Sequence, residues 1–485
     1  TENWNAGSQS LVYSYPDRNQ TEIATATPVL LRFTSPVVDS APLDHISLHR
    51  GGSNGPTVGL SLEEVDNGRG LALTPDETLL PLSRYTLVLD EMELADGIAG
   101  SRTIAFTTRA LEEGPRSQVL ADADFKLSRL IPDGQSLPVM DFSTFRLQFT
   151  QPLDKATVQY GDSNGDTLAL TSPGGDLVSA RVLVDGPYLT LDPQDDLQPG
   201  QAYTLTLGNG LLSTAGNPFS AGSFALTPKD SRPREVMVQQ VSDSANRSIL
   251  SPLTGEPINE VPVNATLLGN DNATQQGGDV RAILAFVPNY PEVTPFTVPR
   301  DTLLSGSNID VNIGGEVPAG FSTGAVNVHF LSDASGYLMP NSYTQRADAP
   351  RQVRLFMDVA MSTEDPTANG GVTQDILHIE LVGTALVVDG IMTIDAVSVV
   401  EPNILGQELG YGTLSFHMEA YRDQLNPPPA MQDTTAPVLQ SWAPGDDASA
   451  HQSNEPIVLN FSEPLDSATV SKARINLEEN GTAVD

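Results

Sequence analysis

The 485-residue chain contains no cysteine, which excludes disulfides, thiol catalysis and Cys-ligated metals. That absence does not fix the compartment, because exported bacterial β-proteins with adequate cores manage without disulfides. Basic residues are scarce: 25 Lys and Arg stand against 61 Asp and Glu, a formal net charge of −36. Nucleic acid and anionic membrane surfaces both call for Lys/Arg clusters that displace counterions, so neither suits this chain. The same surplus of carboxylates keeps an exported protein soluble and offers oxygen ligands to hard cations such as calcium. Only two tryptophans occur, Trp4 and Trp442, so aromatic platforms for sugars are thin. The most apolar stretch, 385–400, is broken by Asp389, Gly390 and Asp395 and reads as no transmembrane helix. No secretory leader is visible, and Thr1-Glu-Asn-Trp4 reads as a mature or trimmed start. Neither His-Glu-x-x-His nor a phosphate-cradling Gly-rich loop is present. No nucleophile constellation stands out, and the chain reads as non-catalytic with no required cofactor.

What is there is period-two alternation. Val29–Phe33, Phe145–Phe149 and Ile457–Phe461 each read as a half-buried strand running into a Pro-containing turn. These strands open a repeat. One continues Phe149-Thr-Gln-Pro-Leu-Asp154-Lys-Ala-Thr157-Val, another Phe461-Ser-Glu-Pro-Leu-Asp466-Ser-Ala-Thr469-Val, and a shorter one Phe33-Thr-Ser-Pro36. Further on, Leu71-Ala-Leu-Thr-Pro75 with Tyr85-Thr-Leu matches Leu189-Thr-Leu-Asp-Pro193 with Tyr203-Thr-Leu. Short alternating strands between Gly/Pro/Asp turns predict two-sheet sandwiches of roughly 100 residues. The motifs "PIVLNFSEPLDSATV", Asp433-Thr-Thr-Ala-Pro437 and "LQPGQAYTLTL…AGNPF" resemble the bacterial Ig-like module of S-layer proteins, adhesins and secreted multidomain enzymes. The resemblance covers 1–110, 118–228 and 434–485. It implies spacer, scaffold or adhesion modules without chemistry of their own. The fold class expected is all-β: tandem immunoglobulin-like β-sandwiches plus a larger β-sandwich-like middle region over 230–425, which ends at Asn426-Pro-Pro-Pro429.

Three places merit a chemical test. His378 and Glu380 alternate onto one face of their strand, opposite Leu377, Ile379 and Leu381, and His417 and Glu419 do the same on theirs. A metal site would need those strands to be neighbours; a solvated outer face needs nothing, and His329, His378 and His417 are expected to be scattered. Asp162-Ser-Asn-Gly-Asp166 begins like a calcium loop, but Pro173 stands at its twelfth position, and Asn-Gly reads as a hairpin turn. Asp433, Asp446 and Asp447, at the entrance of the last module, are the candidate calcium ligands, on the pattern of calcium at junctions between Ig-like domains.

The reading that follows is an extracellular or cell-surface bacterial protein, structural or adhesive, whose Ig-like modules present the middle block. The expected partners are other surface proteins, further copies of itself or extracellular polysaccharide. Two alternatives are an accessory region of a larger secreted enzyme, such as a polysaccharide hydrolase, and a carbohydrate- or protein-binding role for 230–425. The last module stops before the counterpart of Tyr203. It is therefore expected to be a fragment, or to be completed by strand exchange with another chain.

Overall fold

In the computed structural model the described residues are 9–111, 124–161, 165–242, 249–269, 272–365, 368–404, 406, 408–431, 433–449, 451–452, 455–470 and 474–484. They are almost entirely strands, turns and short 3-10 segments.

The first two modules repeat one sandwich. In the first, Leu11–Tyr15, Val29–Phe33, Gly70–Pro75 and Leu60–Val65 make one sheet, in that order, and Arg102–Thr107, Arg84–Leu89, Ile46–Arg50 and Thr57–Val58 make the other. In the second, Leu127–Ile131, Phe145–Phe149, Tyr188–Pro193 and Ala180–Asp185 correspond to the first sheet. Leu168–Thr171, Tyr203–Leu207 and Gly222–Leu226 form the second. Phe33 and Phe149 are both buried. Tyr85 and Tyr203 play one role: each hydroxyl accepts a hydrogen bond from the backbone N–H five residues earlier, Leu80 at 2.8 Å and Gln198 at 2.9 Å. That contact ties a turn to the buried ring and explains why tyrosine recurs in the motif. The Leu-Asp-x-Ala-Thr block is a capped 3-10 turn in both copies that carry it. Asp154 accepts from the Ala156 N–H and Asp466 from the Ala468 N–H, each at 3.1 Å.

The middle region is the larger β unit expected, and its hydrogen bonding closes on itself. Glu235–Val241 pairs with Ala273–Leu284, and the ladder passes through Thr294–Val298, Ala334–Met339, Arg351–Thr363, Gln374–Val388, Ile391–Val400 and Gly412–Ala420. It then returns to Glu235–Val241. This is an antiparallel barrel with no free edge in the ring. Leu303–Gly306 and Val317–Phe330 extend the same wall between Ala273–Leu284 and Arg351–Thr363. Leu355, Met357, Val359 and Met361 point inward by strict alternation, and Arg354, Phe356, Asp358 and Ala360 point outward.

The expectation of half-buried strands needs correction here. Arg146 and Gln148 alternate with Phe145, Leu147 and Phe149, as an outer polar face should, yet both are buried. The second module lays that face against the outside of the barrel. Leu183 and Tyr188 meet Leu331, Ala360 and Leu377, and Ile131 meets Tyr337 and Phe356. The first module docks beside it through Tyr13, Tyr15 and Leu30 on Leu253, Val382 and Val397. Tyr343 of the barrel inserts into the first module's own core. In the third module Leu439–Ala443 pairs with Val458–Phe461 and Leu477–Glu479 with Thr482–Val484. Val438, Trp442, Ile457 and Leu477 there are exposed.

Candidate functional site

Two features of the barrel carry chemistry: the polar seam outside it and the apolar space inside it.

The seam is organised by two acids. Asp358, fully buried on the outer face, accepts from the Arg146 guanidinium of the second module at 3.0 Å, from Ser332 at 2.6 Å and from Thr190 at 3.0 Å. It also accepts from the His378 N–H at 2.8 Å. Arg146 completes its set on Ser335 and the Asp333 carbonyl. Burial works against the Asp358 charge, but Arg146 and these donors outweigh it and hold its pKa below the usual carboxylate value. Glu380 receives Arg129 of the second module at 2.9 Å and Arg354 at 3.4 Å, and Arg354 in turn reaches Asp17 of the first module at 2.9 Å. Tyr343 donates to the same Asp17, and Arg102 donates to the Tyr343 carbonyl at 2.9 Å. The arrangement is an ion-paired clamp of three bodies.

His378 belongs to this clamp, which corrects its expected solvated position. A bulge opposite Asp358 breaks the alternation, so Leu377 and His378 both turn outward, and His378 takes a left-handed φ of 56°. Its Nε2 lies 3.1 Å from Thr190 Oγ1 and 3.2 Å from the Leu189 carbonyl. Desolvation pushes its pKa down to about 4. His417 pairs with Asp395 at 2.7 Å on a different stretch of wall. His329 lines a groove of about 400 Å³ with Arg181, Asp301, Asp433 and Asp466, where the second module, the barrel and the third module meet.

Of the expected calcium ligands, Asp433 stands at that groove. Its carboxylate accepts from the Thr435 N–H and hydroxyl, and a hydrogen bond with Glu463 is the leading cause of its lowered pKa. Asp446 and Asp447 are exposed in the turn after Leu439–Ala443. Among the described residues no group of three or more His, Cys, Asp or Glu is placed to hold a metal. Asp162, Ser163 and Asn164 lie outside the described residues. Gly-x-Ser-x-Gly spacing occurs in the sequence at 51–55, 161–165 and 320–324. The first forms the loop between the paired strands Ile46–Arg50 and Thr57–Val58, and Ser322 of the third lies within the strand Val317–Phe330, so neither is the strand-to-helix turn that exposes a catalytic serine.

Inside the barrel is a cavity of about 50 Å³. Leu304, Val328, Phe330, Met357, Val359, Met361, Ile379 and Phe416 supply most of its wall. Two amides break the apolar lining. Asn259 is saturated, donating to the Ser242 and His417 carbonyls and accepting from the His417 N–H. Gln276 donates to the Val326 carbonyl at 2.8 Å and to Thr274, while its Oε1 is buried without a partner. Only ring closure shows that these strands surround a space.

Comparison with known proteins fits this architecture. The family model described as bacterial Ig-like domain matches residues 8–108, 122–227 and 433–485. Alkane uptake protein B of Marinobacter nauticus is 35% identical over an alignment of 521 residues, which takes in 98% of this chain and 48% of that protein. The chain thus spans about half the length of this curated relative. Among solved structures, CopC from Methylosinus trichosporium OB3b is 26% identical over 22% of this chain and 98% of its own, with a TM-score of 0.18. The N-terminal part of the bacterial S-layer protein SbsC is 14% identical over 46% of this chain and 44% of its own, with a TM-score of 0.17. With more than half its length matched in three segments, the chain belongs to the family of proteins built from the bacterial Ig-like domain.

Proposed function

We propose that this chain is a non-catalytic, extracytoplasmic or surface-exposed part of a bacterial protein that serves alkane uptake. The barrel is the working element, and the two complete Ig-like modules hold its outer wall. The observation that carries the reading is the 35% identity to alkane uptake protein B over an alignment that takes in 98% of this chain. Two features support it. The barrel presents its apolar residues inward around a cavity, and an acidic chain of this kind suits exposure to an aqueous compartment outside the cytoplasm. The expected test is deletion of the gene in its host. Growth on n-hexadecane slows and a plasmid copy restores it, while growth on a soluble carbon source such as acetate is unchanged. Equal growth of the deletion strain and its parent on hexadecane would contradict the reading. Surface or periplasmic placement is checked by fractionating the same cells.

A further inference from the structure

The two complete modules differ in where their cores come from. In the second, the buried cluster is supplied by that module's own strands and loops, from Phe125 to Leu226. The first module's cluster runs likewise from Leu11 to Phe106, with one outsider. That outsider is Tyr343 of the barrel, which has no solvent exposure.

The segment that delivers this ring is longer than its place in the barrel requires. Ala334–Met339 and Arg351–Thr363 are antiparallel neighbours, with Met339 opposite Gln352, and about two to five residues close such a hairpin. Residues 340–350 make a wider excursion, with Pro340 and Pro350 at its two ends. Asn341 shapes it. Its side-chain oxygen accepts from the Tyr343 and Thr344 N–H groups at 2.9 and 3.2 Å, and its Nδ2 donates to the Pro350 carbonyl at 3.0 Å. Only Tyr343 and Thr344 of the excursion are buried, while Ser342, Gln345, Ala347 and Asp348 are exposed. On the first module the contacts are specific. The Tyr343 hydroxyl donates to Asp17, the Tyr343 carbonyl accepts from Arg102 at 2.9 Å, and Asn341 Nδ2 also donates to the Val12 carbonyl at 2.8 Å. A single buried aromatic ring with polar contacts at its margin is the form an interface anchor takes.

We propose that residues 340–350 are a latch that completes the first module from outside, so that this sandwich keeps its fold only while Tyr343 is seated. The second module, whose core is its own, has no such dependence. The module that comes first in the chain therefore waits on a residue of the barrel far downstream. Its release from the barrel and its unfolding are one event, because release withdraws a ring from its core.

Amide hydrogen exchange of the full chain, read by mass spectrometry on peptides from each body, tests the latch. Tyr343→Ala should speed exchange in Ile46–Arg50, Arg84–Leu89 and Arg102–Thr107 by about 100-fold or more, the scale of losing a buried ring. Phe145–Phe149 and Tyr203–Leu207 of the second module and Gln374–Val388 of the barrel should keep the parent's rates. Tyr343→Phe, which keeps the ring and loses the bond to Asp17, should give about a tenfold rise in the same first-module strands. Gln345→Ala, at an exposed position of the excursion, should change nothing. First-module rates in Tyr343→Ala equal to the parent's would overturn the latch. An equal rise in all three bodies would overturn it too, since Tyr343 would then serve general stability. If Tyr343→Ala yields only aggregate, Tyr343→Phe decides: a rise confined to the first module supports the latch, and parental rates there overturn it.

Discussion

Arg146 and Asp358 form a charge pair with almost no solvent around either side chain, and such a pair is costly to break because the survivor is left buried and uncompensated. Arg146→Met should destabilise the protein by about 3–5 kcal/mol in urea unfolding. Arg146→Met combined with Asp358→Leu should recover much of that loss. If the single variant matched the parent, the pair would have no part in holding the second module. His378 adds a pH signature. Its folded pKa of about 4 lies below the free imidazole value near 6.5. As pH falls, the unfolded chain therefore takes up the proton first, and stability present above about pH 6.5 is lost down to about pH 4. The loss is on the order of 2 kcal/mol, less than the full shift implies because the ring retains some exposure. Asp333 acts with the opposite sign. Desolvation and its neighbour Asp192 raise it to about 6, so its ionisation weakens the fold as pH rises through that value. Stability curves of His378→Asn and Asp333→Asn should thus diverge from the parent in opposite directions between pH 4 and 6.5. Parallel curves would contradict both assignments.

The elements show where the sequence was legible. The Phe-x-x-Pro-Leu-Asp and Tyr-Thr-Leu blocks announced the modules because each residue does a local job: a buried ring, a capped turn, a hydroxyl tied back five residues. Local jobs leave local patterns. Tyr85→Phe and Tyr203→Phe should each cost about 1 kcal/mol, by similar amounts, in thermal unfolding; a large difference between them would break the equivalence of the two modules. The seam left no such trace. Arg354, Asp358, His378 and Glu380 alternate with apolar residues just as a solvated face would, and only the docking of a separate module buries them. The bulge at Leu377–His378 left only the adjacent apolar pair Ile376–Leu377 as a trace, and the alternation from Leu377 to Leu381 masks it. Barrel closure depends on pairing between Glu235–Val241 and both Ala273–Leu284 and Gly412–Ala420, a long-range fact that periodicity does not encode. The same holds for the cavity lining, whose residues come from many strands.

At the scale of the whole molecule, Ig-like modules are expected to set length, and here two of them are also walls. Tyr13 donates to the Val382 carbonyl at 2.9 Å, Asn341 to the Val12 carbonyl at 2.8 Å, and Arg109 pairs with Glu401, so the first module is bolted to the barrel at several points. Arg129, Arg146 and Arg300 do the same for the second, on Glu380, Asp358 and Asp192. Contacts of this density between bodies far apart in sequence make the chain one docked assembly, in which two modules hold the barrel from outside. Small-angle X-ray scattering of the purified chain tests that claim most directly. A docked chain of this length should give a radius of gyration near the compact value of about 23 Å, widened slightly by the third module. A radius well above about 30 Å, with the flexible profile of beads on a string, would contradict the account.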